Sequence, residues 1–337
     1  MIVSIIILLI KLLLERHSSK FLIFFFSSFC LSIIIGITTH KLFDALTIIS
    51  TILFVISISN VNFRKVLILW TVSIVLLMIS IYGLLKFGII ENTLRVQLGG
   101  RFRFSQGYQY VTLGANYLFH LTLVYLYLRK SKIRLSEILL FGILNYYFYV
   151  NTDTKSAFFL SILALVLVYI FKNKVVSQKI LNAIGKITLT AGILIPIILT
   201  YFYNANSKLF QILNVALTGR LSLGHKTLSL YGVHLFGQRI DWELQQRATS
   251  VFDNYLYVDS SFVNILLHYG VILLVVIWYS FYQLNKRGHF NTVEMLVFIV
   301  LILHSMFDPQ FFELMYNPLL LLMGISWSKY RYNYQDV

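Results

Sequence analysis

From Val66 to Leu85 the chain runs for twenty residues without a charged side chain, and apolar runs of similar kind recur along its whole length. About 20 apolar residues in a helix match the hydrocarbon thickness of a bilayer. Lipid offers no partner for peptide N–H and C=O groups, so most backbone lying in it must be helical. Composition agrees, with 58% hydrophobic, 16% aromatic and only 12% charged residues, where a soluble domain carries about 25% charged. The expected fold is therefore all-α: a polytopic integral membrane helical bundle, with residues 1–337 forming a single transmembrane domain. Eleven spans are expected (range 10–12), near 1–14, 21–38, 45–59, 66–88, 108–128, 135–150, 156–171, 187–203, 262–283, 293–307 and 314–327. Residues 1–14 are short for a span. No basic residue precedes them and no small-residue cleavage site follows, which argues against a cleaved signal peptide.

One segment breaks the pattern. Residues 204–261 hold Arg220, His225, Arg239, Asp241, Glu243, Arg247, Asp253 and Asp259, and form a large loop expected to contain short helices. A long charged loop among short ones is where chemistry or recognition concentrates. The single cysteine, Cys30, excludes an intrachain disulfide and a cysteine-based metal cluster. A net charge of +15 raises the question of nucleic acid, but the basic residues lie mostly in short loops, where they orient helices. No nucleic-acid partner is expected.

Lysine and arginine in short loops stay cytoplasmic. The loops after spans one, three, five, seven and nine, with the C-terminal tail, hold 17 of the 28 lysines and arginines. The alternate set holds 10, five of them in the long loop. The N-terminus and the 204–261 loop are thus expected outside and the C-terminus inside. Arg129-Lys130-Ser131-Lys132-Ile133-Arg134 and Lys172-Asn173-Lys174 read as orientation signals.

Four external segments then carry polar residues that orientation does not require. GGRFRFSQGY holds Arg101 and Arg103. NTDTKSA holds Asp153 and Lys155. The long loop holds Arg220, His225 and Asp259, and HSMFDPQFFE holds His304, Asp308 and Glu313. Far apart in sequence, they share one side of the membrane, as the walls of a cavity at a bundle's outer end would. The planar guanidinium of arginine matches pairs of phosphate oxygens. Arg101, Arg103 and Arg220 therefore suit an anionic ligand such as a lipid diphosphate, or else lipid headgroups at helix ends. Asp259 precedes two serines at a helix start, so it reads as an N-cap, as a catalytic or sugar-binding carboxylate, or as both. His225 could act as a general base toward a sugar hydroxyl or simply sit at the interface. Asp153 reads as a cap of the helix starting near Ser156, with Lys155 bridging to it. Phe102, Tyr108, Tyr255 and Tyr257 read as interfacial anchors or sugar-stacking rings. HExxH, P-loop, GxSxG and DxD motifs are absent. His304 and Asp308, four residues apart, are a weak metal signal, and neither metal nor other cofactor is expected.

Within this order, GRLSLGHKTLSLYGVHLFGQ is followed by YVDSSFVNILLHYGVI. The pattern resembles the Wzy-type polymerases of O-antigen, capsule and exopolysaccharide repeat units, which are related to O-antigen ligases. Arg220 sits at the family arginine and Gly237 at its turn. Asp259-Ser260-Ser261-Phe262 stands where the family reads Asp-Asn-Ser-Tyr, and Tyr269-Gly270-Val271 closes the motif. Arg103 through Asn116 resembles an arginine-to-asparagine stretch, with Ala115 where the family has Pro. NTDTKSAFF resembles a segment with Arg where this chain has Lys155, and YNPLLLLMG, with Asn317 and Pro318, also fits. The resemblance covers roughly residues 95–325.

The resemblance implies a metal-independent, GT-C-like membrane glycosyltransferase of the bacterial cytoplasmic membrane. It would join undecaprenyl-diphosphate-linked oligosaccharide repeat units at the outer face. Its partners would be that lipid-linked oligosaccharide, membrane lipids, and a chain-length regulator and flippase of the same pathway. Arg220 and Arg103, assisted by Arg101 and with Lys155 beside them, would bind the diphosphate. Asp259 or His225 would orient or deprotonate the acceptor. The alternatives are a ligase-like glycan transferase and a lipid-linked saccharide transporter or flippase. A transporter needs charge within its spans, and these spans are nearly uncharged.

Overall fold

The computed structural model describes residues 2–14, 19–40, 42–58, 61–97, 101–242, 256–287 and 290–327. Apart from one hairpin, the regular structure among them is helical. Helices α1 (Ile2–Leu14), α2 (Ser19–Thr39), α3 (Leu42–Ser57) and α4 (Phe63–Lys86) precede strands β1 (Leu94–Gln97) and β2 (Arg101–Phe104). Helices α5 (Leu113–Arg129), α6 (Leu135–Thr152), α7 (Lys155–Phe171) and α8 (Gln178–Tyr201) follow. The long loop contains α9 (Lys208–Ala216) and α10 (Arg220–Tyr231), and its charged Glu243, Arg247 and Asp253 lie outside the described residues, as does Tyr255. The chain ends with α11 (Ser261–Asn264), α12 (Val271–Lys286), α13 (Thr292–Ser305) and α14 (Leu322–Trp327). Three helices, α2, α4 and α8, are long and apolar enough to cross a membrane, and α3, α7, α12 and α13 contain shorter apolar helices.

Helix α5 is the axis of the bundle. It is buried on nearly every side, from Gly114 to Tyr127, with its polar Asn116, His120 and Thr122 buried among apolar neighbours. It packs against α4, α6, α7 and α13, while α12 packs against α8 and α14. Phe119, Phe262, Phe281 and Phe311 fill the centre. Helices α5 and α7 run one way and α6 and α13 the other, so the segments between them gather at two ends. At one end the Lys172 ammonium donates to the Ile133 carbonyl, and the Thr292 hydroxyl donates to the Lys174 carbonyl. At the other end β2, the α6–α7 turn and the segment after α13 come together.

The structure departs from the expected elements at four places. Residues 94–97 and 101–104 form two antiparallel strands, in which Arg95 pairs with Arg103. Their short polar–apolar alternation fits a two-residue strand period, which the reading of GGRFRFSQGY as a loop before a helix does not anticipate. The expected span 262–283 is broken. After α11 the backbone takes one π-helical turn, Ile265–Tyr269, and reverses hand at Gly270, φ +94°. There Val271 N donates to His234 O, Ile272 N to Leu235 O, and Gln238 N to His268 O. Segment 234–238 thus satisfies the peptide groups the break exposes. Such an approach needs Gly237 and Gly270, since a Cβ at Gly237 would lie 2.3 Å from the His268 carbonyl oxygen. The run 314–327 is no continuous helix: Pro318–Leu321 is a 3-10 turn, and only six described residues of α14 follow. Lastly, Asp153 caps the C-terminus of α6 in a left-handed conformation (φ +45°), its N–H donating to Tyr149 O, instead of starting α7.

Candidate functional site

Three chain segments bring their charges to one point. Arg220 is the first residue of α10, entered through Thr218 and Gly219, both with positive φ. This sharp entry is secured by Asn214, whose side-chain oxygen accepts from Ser222 N at 3.0 Å. The Arg220 Nε lies 3.3 Å from Asp259 Oδ2, and its Nη2 lies 3.7 Å from Asp308 Oδ1. These are ion pairs without aligned hydrogen bonds, since the Arg220 Nε has no hydrogen-bond partner. The guanidinium is therefore held by two carboxylates without its donors being saturated, and about a quarter of its side chain remains accessible (26%).

Asp259 is free to face Arg220 because the neighbouring Ser260 takes the capping position of α11. Its side chain accepts from Val263 N, which resolves the cap reading in favour of the serine. Ser261 then ties the segment to the loop after α13. Its hydroxyl donates to the Asp308 carbonyl and accepts from Phe311 N at 3.1 Å. Asp308 is the most buried member of the cluster, only 4% exposed. Its Oδ2 lies 3.4 Å from His304 Nε2, one helical turn back at the end of α13. The His304 ring stacks on Phe119, with centroids 4.0 Å apart, which fixes the imidazole plane.

Burial pushes the Asp308 carboxyl up to about 6, against the opposing pull of Arg220, the Ser156 side chain and Arg103. Burial also raises Asp259. Arg220 opposes that rise, and the like charge of Asp308 adds to it. Two acids and one arginine thus share a site in which a proton can be held near neutral pH.

Arg103 approaches from β2, but its fork is largely engaged. Nε donates to the Thr152 carbonyl at 2.6 Å and Nη2 to the Thr154 hydroxyl at 3.4 Å, and the residue is buried. It pins the hairpin to the α6–α7 turn and adds positive potential behind Asp308. The Arg101 side chain lies outside the described side chains, although its backbone shares β2 with Arg103. Lys155, exposed at the start of α7, is in none of the cluster's ion pairs among the described residues. His225 is turned elsewhere. Its Nδ1 is 2.9 Å from the Thr200 carbonyl and its ring lies beside Tyr203, so it joins α10 to the end of α8.

Sequence reasoning grouped Asp308 with Arg220 and Asp259 but gave it only a weak metal signal with His304, and assigned Ser156 and Ser261 no part in the cluster. The only signal for Asp308 was a carboxylate one turn from a histidine at the end of an apolar run. Beneath the cluster lie further buried polar groups on α5. Asn116 has neither amide atom hydrogen-bonded, and His120 Nε2 has no hydrogen-bond partner. Its ring lies edge-on to His304 with centroids 5.4 Å apart. Tyr108 is buried in the neighbouring ring cluster with Tyr117 and Tyr316, and its hydroxyl is pushed well above its ordinary range by burial. Phe102 and Tyr257 remain exposed. Among the described residues no group of three His, Cys, Asp or Glu side chains could hold a metal ion.

The fold and site together define a helical protein with three helices long and apolar enough to cross a membrane and an Arg–Asp–Asp cluster at one end of its bundle. No protein-family model, curated protein or solved structure matches the chain.

Proposed function

We propose that the chain is a membrane glycosyltransferase that joins lipid-diphosphate-linked oligosaccharide repeat units at the outer face of a bacterial cytoplasmic membrane. In this reading the chain crosses the membrane about eleven times, with the Arg220 end outside and the lysine-rich end inside. The observation that carries it is Arg220 held between Asp259 and Asp308, on three segments that lie far apart in sequence. In the transfer, the acceptor hydroxyl attacks the anomeric carbon of the donor sugar. The C–O bond to the diphosphate breaks, and its electron pair leaves with the lipid diphosphate. Negative charge grows on that leaving group, and a fixed guanidinium with unspent donors stabilises it. The carboxylates keep the guanidinium in place before the substrate arrives, so little reorganisation is needed during reaction. Asp259, the more accessible of the two acids, receives the proton of the acceptor hydroxyl. Asp308 lies behind it, raises its basicity by like charge and anchors Arg220. Arg103 contributes potential from its buried position, without a direct bidentate grip.

Purified protein in liposomes, given undecaprenyl-diphosphate repeat units, is expected to produce a ladder of lengthened glycans. Transfer of a single glycan to a different acceptor would instead support the ligase-like reading. Lipid movement across the bilayer with no lengthening would overturn glycosyl transfer altogether.

A further inference from the structure

Between α2 and α12 lies a groove of about 390 Å³, walled by Phe24, Leu31 and Ile34 on one side and Ile272, Val275 and Val276 on the other. Its α2 wall is opened by small residues, Ser27, Ser28 and Cys30, where larger side chains would have closed the space. Helix α2 is one of the three long, apolar helices and is mostly exposed along its length, so the groove opens toward lipid hydrocarbon. A polar occupant would lose its hydration there without recovering hydrogen bonds. The occupant has to be a hydrocarbon chain.

Two segments lead from the charged cluster to the head of this groove. One is α10, which starts at Arg220 and continues into segment 234–238. Phe236 of that segment lines the groove, and its carbonyl accepts from the Thr38 hydroxyl of α2 at 2.9 Å. The other runs from Asp259 through Ser261 to the π-helical turn ending at Tyr269, on which segment 234–238 is hydrogen-bonded. At about 1.5 Å per residue, Ser261–Tyr269 spans on the order of 13 Å. An anion site and an apolar groove at this separation, joined along continuous chain, match an amphiphile with an anionic head and a long tail.

We propose that the α2–α12 groove holds the isoprenoid chain of the lipid diphosphate whose head binds at Arg220. The proposal rests on the glycosyl-transfer reading above. Cys30, the single cysteine of the chain and a lining residue of the groove, reports on its occupancy. The full chain in detergent micelles would be labelled with N-phenylmaleimide, with and without undecaprenyl diphosphate. Labelling is expected to slow about tenfold when the lipid is present at about ten times its Kd. Inorganic diphosphate and phosphatidylglycerol at equal concentration are expected to leave the rate unchanged. An unchanged rate with undecaprenyl diphosphate, or equal slowing by phosphatidylglycerol, overturns the proposal; the second result would assign the groove to ordinary membrane lipid. The labelling reads binding alone. If Cys30 is shielded while no glycan ladder forms, glycosyl transfer fails and the groove stands. If ladders form while Cys30 reacts at an unchanged rate, the groove fails and transfer stands. Filling the groove with Ser27→Phe is expected to raise KM for undecaprenyl-linked substrate and leave kcat intact. With a short-chain analogue the two proteins should have the same KM, and a kcat loss without a KM change would count against a tail site.

Discussion

At the end of the bundle where α5 and α7 finish, the cations are mostly lysines, and all of them are half-buried or exposed. Arg129 pairs with Glu137 at 2.8 Å and donates to the Lys132 carbonyl, Lys172 donates to Ile133, and Lys132 and Lys174 are exposed to solvent. At the opposite end the buried and half-buried cations include Arg103 and Arg220, and Arg220 is held by two acids carried on other segments, one of them almost wholly buried. The first arrangement costs little and does little, because exposed ion pairs contribute at most about 1 kcal/mol each. The second is expensive. A buried carboxylate stays charged only against its desolvation penalty, and Asp308 Oδ2 has no hydrogen bond to offset it. Charge kept at such cost marks a site of chemistry more than a site of folding.

The comparison breaks first at Asp259. If it accepts the acceptor's proton, Asp259→Asn is expected to lower elongation by roughly 10²–10⁴-fold, the range for a general base. The protein should remain folded by circular dichroism. Near-normal ladders would remove it from the site. Arg220→Lys comes next. A lysine keeps the charge but loses the fork, and deleting one such donor elsewhere costs about 2.7–4 kcal/mol of barrier, or ~10²–10³ in kcat. Lys174→Ala, at the other end, should leave the ladder unchanged. Equal losses from the two would erase the distinction between the ends.

How much of this was legible in the sequence differs between the same two ends. Helix existence followed from apolar runs, because a bilayer's thickness fixes their length, and the alternation of lysine-rich loops told which segments share an end. That alternation alone brought Arg103, Arg220, Asp259 and Asp308 to one end. It could not rank them. The prominence of His225 rested on its chemistry, yet the turn at Gly219 sends it toward Thr200. Asp308 was hidden because burial, which decides its role, is a property of packing. The break at Gly270 was equally invisible, since it depends on segment 234–238 returning to satisfy the exposed backbone.

Asp308 sharpens the contrast through pH. Its folded pKa, about 6, lies above the ordinary 3.8. The sign follows directly: the folded state binds the extra proton, so the stability this group contributes is fully present below about 3.8. It is lost as pH rises through 6. The wild-type Tm is therefore expected to fall as pH rises from about 4 to 6, and Asp308→Asn should flatten that part of the slope while raising stability at pH 7 by at most about 3 kcal/mol. The same substitution removes the like charge that raises Asp259. The acidic limb of the elongation profile should then move to lower pH, with roughly 1–2 kcal/mol added to the barrier. A profile that keeps its position would mean that Asp308 does not act through Asp259.

The smallest expected effect tests the lysine end where it most resembles the other. Lys130 pairs at 3.2 Å with Glu294, which is 1% exposed and so also a buried acid held by a cation. Glu294 differs from Asp308 in having its other work done locally. Its Oε2 accepts from Asn291 N at 2.8 Å, and Asn291 accepts in return from Glu294 N at 2.9 Å, a reciprocal cap on α13. The pair therefore fixes the start of a helix whose far end carries His304 and Asp308. Lys130→Met should leave Glu294 without its cation and destabilise the fold by about 1–3 kcal/mol, read as a lower midpoint in denaturant. Elongation per folded molecule should not change, because the helix, once formed, presents Asp308 unaltered. A loss of rate without a loss of stability would show that charge at the lysine end reaches the site through α13. The two ends would then be one coupled system.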